Sequence, residues 1–190
     1  MRIALALIAG GALTACAPTM AAAPAGAFQS ATPLAVTLDN SWTHIPPQLN
    51  GVTNGSVLTR HGVALNRVDL ISLAPGQSLI RVARDVDAPT FRSGMSELEL
   101  VELATASLRR LGFTDIATEN VRPHALAGAQ GVRMSIVGKY ESGLNLRGDI
   151  AMAESNGRLN VIMFLAPAMH YYDASAAEIE HLIESARIAE

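Results

Sequence analysis

The chain has 190 residues and a formal net charge of −3, from 14 basic and 17 acidic side chains. This length suits a single domain with an ordinary hydrophobic core. The mild acidity argues against a nucleic-acid partner, because proteins that bind phosphates usually carry a clustered basic face. A single cysteine, Cys16, excludes both a disulfide within the chain and a zinc site built from several thiolates.

The N-terminal segment is a short run of apolar residues and glycine from Ile3 to Leu13, preceded by the charge of Arg2. As a helix with a rise of ~1.5 Å per residue, this run covers about half of the ~30 Å hydrocarbon core of a bilayer. A charge, a short apolar run and small residues are instead typical of an export signal. We therefore predict a cleaved signal and not a membrane-spanning helix.

The small residues end in the sequence LTAC at Cys16, which resembles the lipobox of bacterial lipoproteins. In that family the cysteine is acylated and becomes the mature N-terminus. The resemblance implies a signal peptide over residues 1–15, cleavage after Ala15 and a lipid anchor at Cys16. Ala17 stands where many inner-membrane lipoproteins have aspartate, so the analogy implies the periplasmic face of the outer membrane. The alternative is an ordinary secreted protein whose cysteine is incidental.

The segment that follows the cysteine, APTMAAAPAGAFQSATP, is rich in small residues and proline and carries no charge. It lacks apolar periodicity, which is typical of a flexible tether. We predict the lipidated cysteine and this tether over residues 16–38, and a single α+β domain over residues 39–190.

The folded part begins with a hairpin and a helix. The segment VLTRHGVALNRVDLISLAPGQ predicts two strands that turn at His61 and Gly62. The segment MSELELVELATASLRRLG predicts the first helix, since Ser96 and Glu99 fit a capping box and Gly112 ends the pattern. The apolar stripe predicted to face the core consists of Leu98, Val101, Ala104, Leu108 and Leu111.

Three strands and a second helix complete the predicted domain. The strands are QGVRMSIVGKYE, LNLRGDIAMAE and LNVIMFLA, and Asn156-Gly157 predicts a tight hairpin between the last two. Their alternation predicts a sheet with one buried face and one polar or lightly covered face. The last helix is predicted to begin with Asp173 as its N-cap. Hairpin, helix, three-stranded meander and helix together predict an antiparallel sheet with helices packed on it.

This order resembles the PsbP-like superfamily, whose members share an α/β/α sandwich around an antiparallel sheet. The resemblance covers roughly Trp42 to Ile188. The residues that carry it are Thr59, Arg60, His61, Gly62, Leu65, Gly94, Met95, Gly131, Tyr140, Gly157, Arg158 and Ser185. The family includes photosynthetic accessory proteins, a nuclear transport cofactor and bacterial lipoproteins, and its common activity is docking to other proteins. The resemblance therefore implies a non-enzymatic accessory module that binds another envelope protein.

Motifs for catalysis, metals or cofactors do not emerge from the pattern. No two of the five histidines have the i, i+4 spacing of a zinc-binding helix, so no metal site is predicted. Ser56 and Ser93 lack the frame of a nucleophile elbow, and no cofactor is predicted. A serine, a histidine and an acid could still meet in space. An envelope hydrolase or a small-ligand carrier therefore stays open as the alternative.

The aromatic residues of the segment APAMHYYDA are the strongest candidates for contact with a partner. Tyrosine is enriched at the centres of protein interfaces, so His170, Tyr171 and Tyr172 are candidate contacts, together with Trp42. Alternatively, one tyrosine packs under the last helix with its hydroxyl on a backbone group, and Trp42 anchors the core. An enclosed apolar pocket with a perturbed ionisable group would favour the carrier or the hydrolase. A shallow apolar patch would favour docking.

Overall fold

The computed structural model describes residues 19–81 and 87–189. The predicted signal peptide, Ala15 and Cys16 lie outside the described residues. Within the described ranges, no helix has both the length and the apolar character needed to cross a membrane.

The described residues form eleven strands and two helices. In chain order they are β1 (Ala21–Ala23), β2 (Gly26–Gln29), β3 (Leu34–Leu38), β4 (Trp42–Ile45), β5 (Gly55–Thr59), β6 (Arg67–Leu73), α1 (Glu97–Arg110), β7 (Phe113–Leu126), β8 (Ala129–Tyr140), β9 (Asn145–Ser155), β10 (Arg158–Pro167), α2 (Tyr171–Glu184) and β11 (Arg187–Ile188). Eight strands form one antiparallel sheet in the order β1-β4-β5-β6-β10-β9-β8-β7, and three form a small sheet in the order β11-β3-β2. The predicted antiparallel sheet with packed helices is confirmed.

Both faces of the large sheet are buried. Neighbouring residues of β6 show this, since Ile71 belongs to the core under α1 and Leu70 to the core under α2 and the small sheet. The prediction of one polar or lightly covered face is therefore wrong. Its polar residues are buried by partners on α2: Arg133 pairs with Glu180, with N–O distances of 2.6 and 2.7 Å. On the α2 side of the large sheet, the outer layer contains the small sheet as well as the helix. The fold therefore differs from the α/β/α sandwich that the resemblance implies, in which both outer layers are helical.

The helix α1 confirms the predicted capping box. The Ser96 hydroxyl accepts a hydrogen bond from the Glu99 backbone, and the Glu99 carboxylate accepts one from the Ser96 backbone at 2.8 Å. Gly112, with φ at 88°, ends the helix. The predicted stripe is wrong at Leu98, which is 68% exposed. The buried face of the helix is instead made by Leu100, Val101, Leu103, Ala104 and Leu108.

The strand β7 is absent from the predicted order, so the meander has four strands and not three. It lies at the edge of the large sheet and pairs with β8 through two register shifts. Most of its side chains are exposed, which removes the apolar alternation that marks a strand. Its irregular pairing, its charges and Pro123 are features that protect an edge against pairing with another chain.

The structure differs from the flexible tether predicted for residues 16–38 wherever that segment is described. Residues 21–38 hold β1, β2 and β3, and Leu34, Val36 and Leu38 are buried beneath α2. The last helix also begins three residues earlier than predicted. Its N-cap position is His170, with φ at 70°, while Asp173 lies in the first turn, where a carboxylate still favours the helix dipole.

Candidate binding site

A cavity of about 400 Å³ opens at one end of the large sheet, on the face that carries α1. Its volume lies in the range of about 300–1,000 Å³ that is usual for ligand sites. Four parts of the chain meet there: the β5–β6 loop, the junction of α1 with β7, the β8–β9 turn and the end of β10. The apolar lining includes Leu111, Phe113, Leu144, Leu146 and Leu165.

The rim of the cavity carries apolar side chains that are exposed to solvent. Val63, Tyr140 and Leu144 all line the cavity and are all exposed. The rings of Phe113 and Tyr140 meet edge to face, with centroids 5.4 Å apart, and stiffen one wall. Exposed apolar groups around a concavity are typical of a binding site.

Arg67 brings a positive charge to the wall of the cavity. Its Nε donates to the Asp69 carboxylate at 2.8 Å, and its Nη2 donates to the Asn50 carbonyl at 3.0 Å. These bonds fix the guanidinium, whose Nη1 donates to no atom of the described residues. The Asp69 side chain is 1% exposed. Burial raises the pKa of Asp69, while the ion pair with Arg67 opposes that rise.

Two of the four candidate contact residues are buried. Trp42 is 2% exposed and its Nε1 donates to the Glu178 carboxylate at 2.8 Å. Tyr172 is 7% exposed and its hydroxyl donates to Asp149 at 2.7 Å. Burial, and then Asp149, raises the pKa of Tyr172 to about 12. Neither Trp42 nor Tyr172 offers a surface to a partner. They match the alternative of core anchors, although Tyr172 binds a carboxylate and not a backbone group.

The other two candidates lie at the start of α2, outside the lining of the cavity. His170 is exposed and Tyr171 is half-buried, with the Tyr171 ring 5.3 Å from that of His170 and 5.8 Å from that of His61. Met169, the preceding residue, is 85% exposed. The backbone N–H of Ala168 donates to the Asn145 carbonyl at 3.0 Å, which ties this loop to the turn that borders the cavity. Their contact with a partner stays a prediction.

The cavity itself is not anticipated by the sequence pattern. Its residues are apolar side chains at the ends of elements, such as Leu111 after α1 and Leu144 in a turn, where a short pattern does not separate core from surface. One signal was present: Arg67 and Asp69 alternate with apolar residues in β6, which places two opposite charges on one face of a buried strand. In residues 19–81 and 87–189 no group of three or more His, Cys, Asp or Glu side chains could hold a metal ion.

Fold and cavity together define an α+β domain with an open apolar cavity at one end of an antiparallel sheet. No family model and no curated protein matches the chain. Several solved structures, including the following two, are similar to it. The cyanobacterial PsbP (CyanoP) of Synechocystis sp. PCC 6803 has a TM-score of 0.49 and 11% identity, and the match covers 96% of this chain and 98% of that chain. LpqN, described as involved in cell envelope biogenesis of Mycobacterium tuberculosis, has a TM-score of 0.49 and 12% identity, with 90% and 92% covered. At these scores the likeness concerns the arrangement of elements and carries no argument about function.

Proposed function

We propose that the chain is an envelope-anchored accessory module that works by binding another molecule. Its proposed binding site is the cavity that Arg67 lines. The observation that carries the proposal is the apolar cavity of about 400 Å³ with its exposed apolar rim. Covering such a rim removes apolar surface from water, which stabilises a complex by about 25 cal/mol per Å² before the costs of association. The proposed role is non-enzymatic: the ligand is bound and released without chemical change.

The cavity favours a ligand with an apolar group over a flat protein surface. It is concave, and the Asp69 carboxylate behind its wall has a raised pKa, which is the combination expected of a carrier site. A protein partner is the second candidate. It is favoured by the exposed side chains of Met169 and His170, in the loop that the hydrogen bond from Ala168 to Asn145 ties to the start of β9.

The anchor is proposed from the lipobox resemblance, with Cys16 acylated at the periplasmic face of the outer membrane. Only residues 17–20 separate Cys16 from β1. The five Cα–Cα steps from Cys16 to Ala21, even fully extended, span at most about 18 Å. This short link holds the domain against the membrane surface, where its effective concentration toward other envelope molecules is high.

Replacing Cys16 with serine is expected to abolish the lipid mass increment and leave unprocessed precursor, because serine has no thiol to accept the diacylglycerol. Intact-protein mass spectrometry of membrane and soluble fractions measures both effects. Normal processing of the Cys16→Ser protein would contradict the proposed anchor.

Closing the cavity is expected to weaken binding of an uncharged apolar dye. Ala64 is exposed and lines the cavity, so Ala64→Trp adds a large side chain at the opening without disturbing the core. The expected effect is a loss of affinity of about tenfold or more, measured by fluorescence titration of the purified full chain. Ala177, an exposed residue of α2 outside the cavity lining, supplies the control Ala177→Trp. Equal affinity of the two variants would contradict the assignment of the site.

A further inference from the structure

The lining of the cavity crosses five strands of the large sheet. It runs from Arg67 on β6 to Phe113 on β7, and β10, β9 and β8 lie between these two strands. At about 4.8 Å per strand spacing, these four steps cover about 19 Å of the sheet. An apolar cavity of about 400 Å³ along this run suits the hydrocarbon chain of an amphiphile, whose head group can stay at the open rim.

The polar groups of the lining are suited to a neutral head group. The charge of Arg67 is already balanced by Asp69, whose Oδ2 has no hydrogen-bond partner among the described residues. A second anion at Arg67 would lie close to this buried carboxylate and be repelled by it. The other polar side chains of the lining are the hydroxyls of Tyr140 and Ser142. Nη1 of Arg67 carries two N–H groups with no acceptor among the described residues, so it can donate to an uncharged oxygen.

We propose that the cavity holds the acyl chain of a neutral single-chain amphiphile, whose ester or hydroxyl oxygen accepts a hydrogen bond from Nη1 of Arg67. The inference rests on the proposed function and names its ligand class. An acyl ester of this kind could come from the membrane or from the acyl groups proposed at Cys16, since both present a chain on an uncharged ester. The geometry does not require a change in the fold, because the rim is already open.

Displacement of a bound uncharged dye tests the ligand class. The full chain carrying Cys16→Ser, which has no acyl group of its own, is titrated at pH 8 with 1-monolauroylglycerol and with laurate, two probes with the same chain. We expect the monoacylglycerol to displace the dye at a concentration at least about tenfold lower than laurate. Ala64→Trp should weaken binding of the dye and of both probes, and Ala177→Trp should leave binding of all three unchanged.

The role of Arg67 is tested by the double variant Arg67→Met with Asp69→Leu, which removes the donor without leaving a buried charge unpaired. We expect it to keep dye binding and to lose most of the preference for the monoacylglycerol. Laurate binding as tightly as the monoacylglycerol would overturn the neutral head group while leaving the cavity as the site. Dye binding that neither probe displaces would overturn the acyl ligand. Absence of dye binding would overturn the proposed function as well.

The two sources of the acyl group are separated by the lipidated protein. If the membrane supplies the ligand, lipidated and Cys16→Ser proteins should bind monolauroylglycerol equally. If the anchor fills the cavity, the lipidated protein should bind monolauroylglycerol at least about tenfold more weakly than the Cys16→Ser protein. Adding Ala64→Trp to the lipidated protein should not restore that affinity. Both results support an acyl group in the cavity. If the lipidated protein still binds more weakly than the Cys16→Ser protein when both carry Ala64→Trp, the difference does not arise in the cavity. That result would contradict occupation by the anchor.

Discussion

Replacing Arg67 with methionine is expected to lower the free energy of unfolding by about 3–5 kcal/mol, the usual cost of leaving one member of a buried ion pair alone. Asp69 is 1% exposed and its only charged partner in the described part of the chain is Arg67. Methionine keeps the unbranched apolar stem of the side chain and removes the guanidinium, so the loss mainly reports the charge and the bond to the Asn50 carbonyl. Urea denaturation followed by circular dichroism measures it.

The same variant has an expected pH dependence. Burial raises the pKa of Asp69 above that of the unfolded chain, and removing Arg67 removes the interaction that opposes this. A carboxyl group with a raised folded pKa favours the folded state at low pH, and this support is lost as the pH rises. The Arg67→Met protein should therefore be closer to the wild type at pH 5 than at pH 7. Adding Asp69→Leu should restore most of the stability at pH 7, and a double variant as unstable as the single one would contradict the account of the pair.

Replacing Gly131 with alanine is expected to destabilise the protein at or above the upper end of the about 1–3 kcal/mol usual for overpacking. Gly131 on β8 lies opposite Ala153 on β9 in the interior of the large sheet. An added Cβ would collide with the Met152 carbonyl oxygen and lie 2.7 Å from the Ala153 Cα. Backbone atoms of a paired strand cannot move aside as a flexible side chain does, so the strands themselves must separate.

Gly138 provides the matched control in the same strand. Its added Cβ would lie 3.3 Å from the nearest atom, the Thr114 carbonyl oxygen near the edge strand, which needs a much smaller adjustment. Thermal unfolding should therefore show a much larger loss for Gly131→Ala than for Gly138→Ala. Equal losses would show that the close approach of β8 and β9 at Gly131 is not what requires glycine there.

The parts of the fold that follow from the sequence are those determined by neighbouring residues. Ser96 and Glu99 are three residues apart, so their capping box is visible as a pattern. Asn156 and Gly157 both have positive φ, at 52° and 68°, and form the hairpin turn that the dipeptide predicts. The burial of Arg133 could not be predicted in this way, because its partner Glu180 lies 47 residues further along the chain.

The candidate site also depends on contacts between residues that are distant in the sequence, so most of it could not be predicted. The pattern drew attention to aromatic residues, yet Trp42 and Tyr172 are buried because Glu178 and Asp149, distant in sequence, accept their hydrogen bonds. The cavity is made by the ends of elements that only the sheet order β6-β10-β9-β8-β7 brings together. Since β7 is polar and exposed, its place in that order was not predictable, and neither was the wall formed by Phe113.

Photo-crosslinking in intact cells tests most directly whether the cavity is the binding site of an envelope module. Photo-reactive residues are placed singly at three positions: Leu144, on the rim of the cavity; Tyr171, at the start of α2; and Leu98, an exposed leucine of α1 outside the lining. We expect a defined low-mass adduct at Leu144, none at Leu98, and loss of the adduct when Ala64→Trp is added. Equal labelling at the two positions, an adduct that persists with Ala64→Trp, or a crosslinked protein at Tyr171 with nothing at Leu144 would contradict the account.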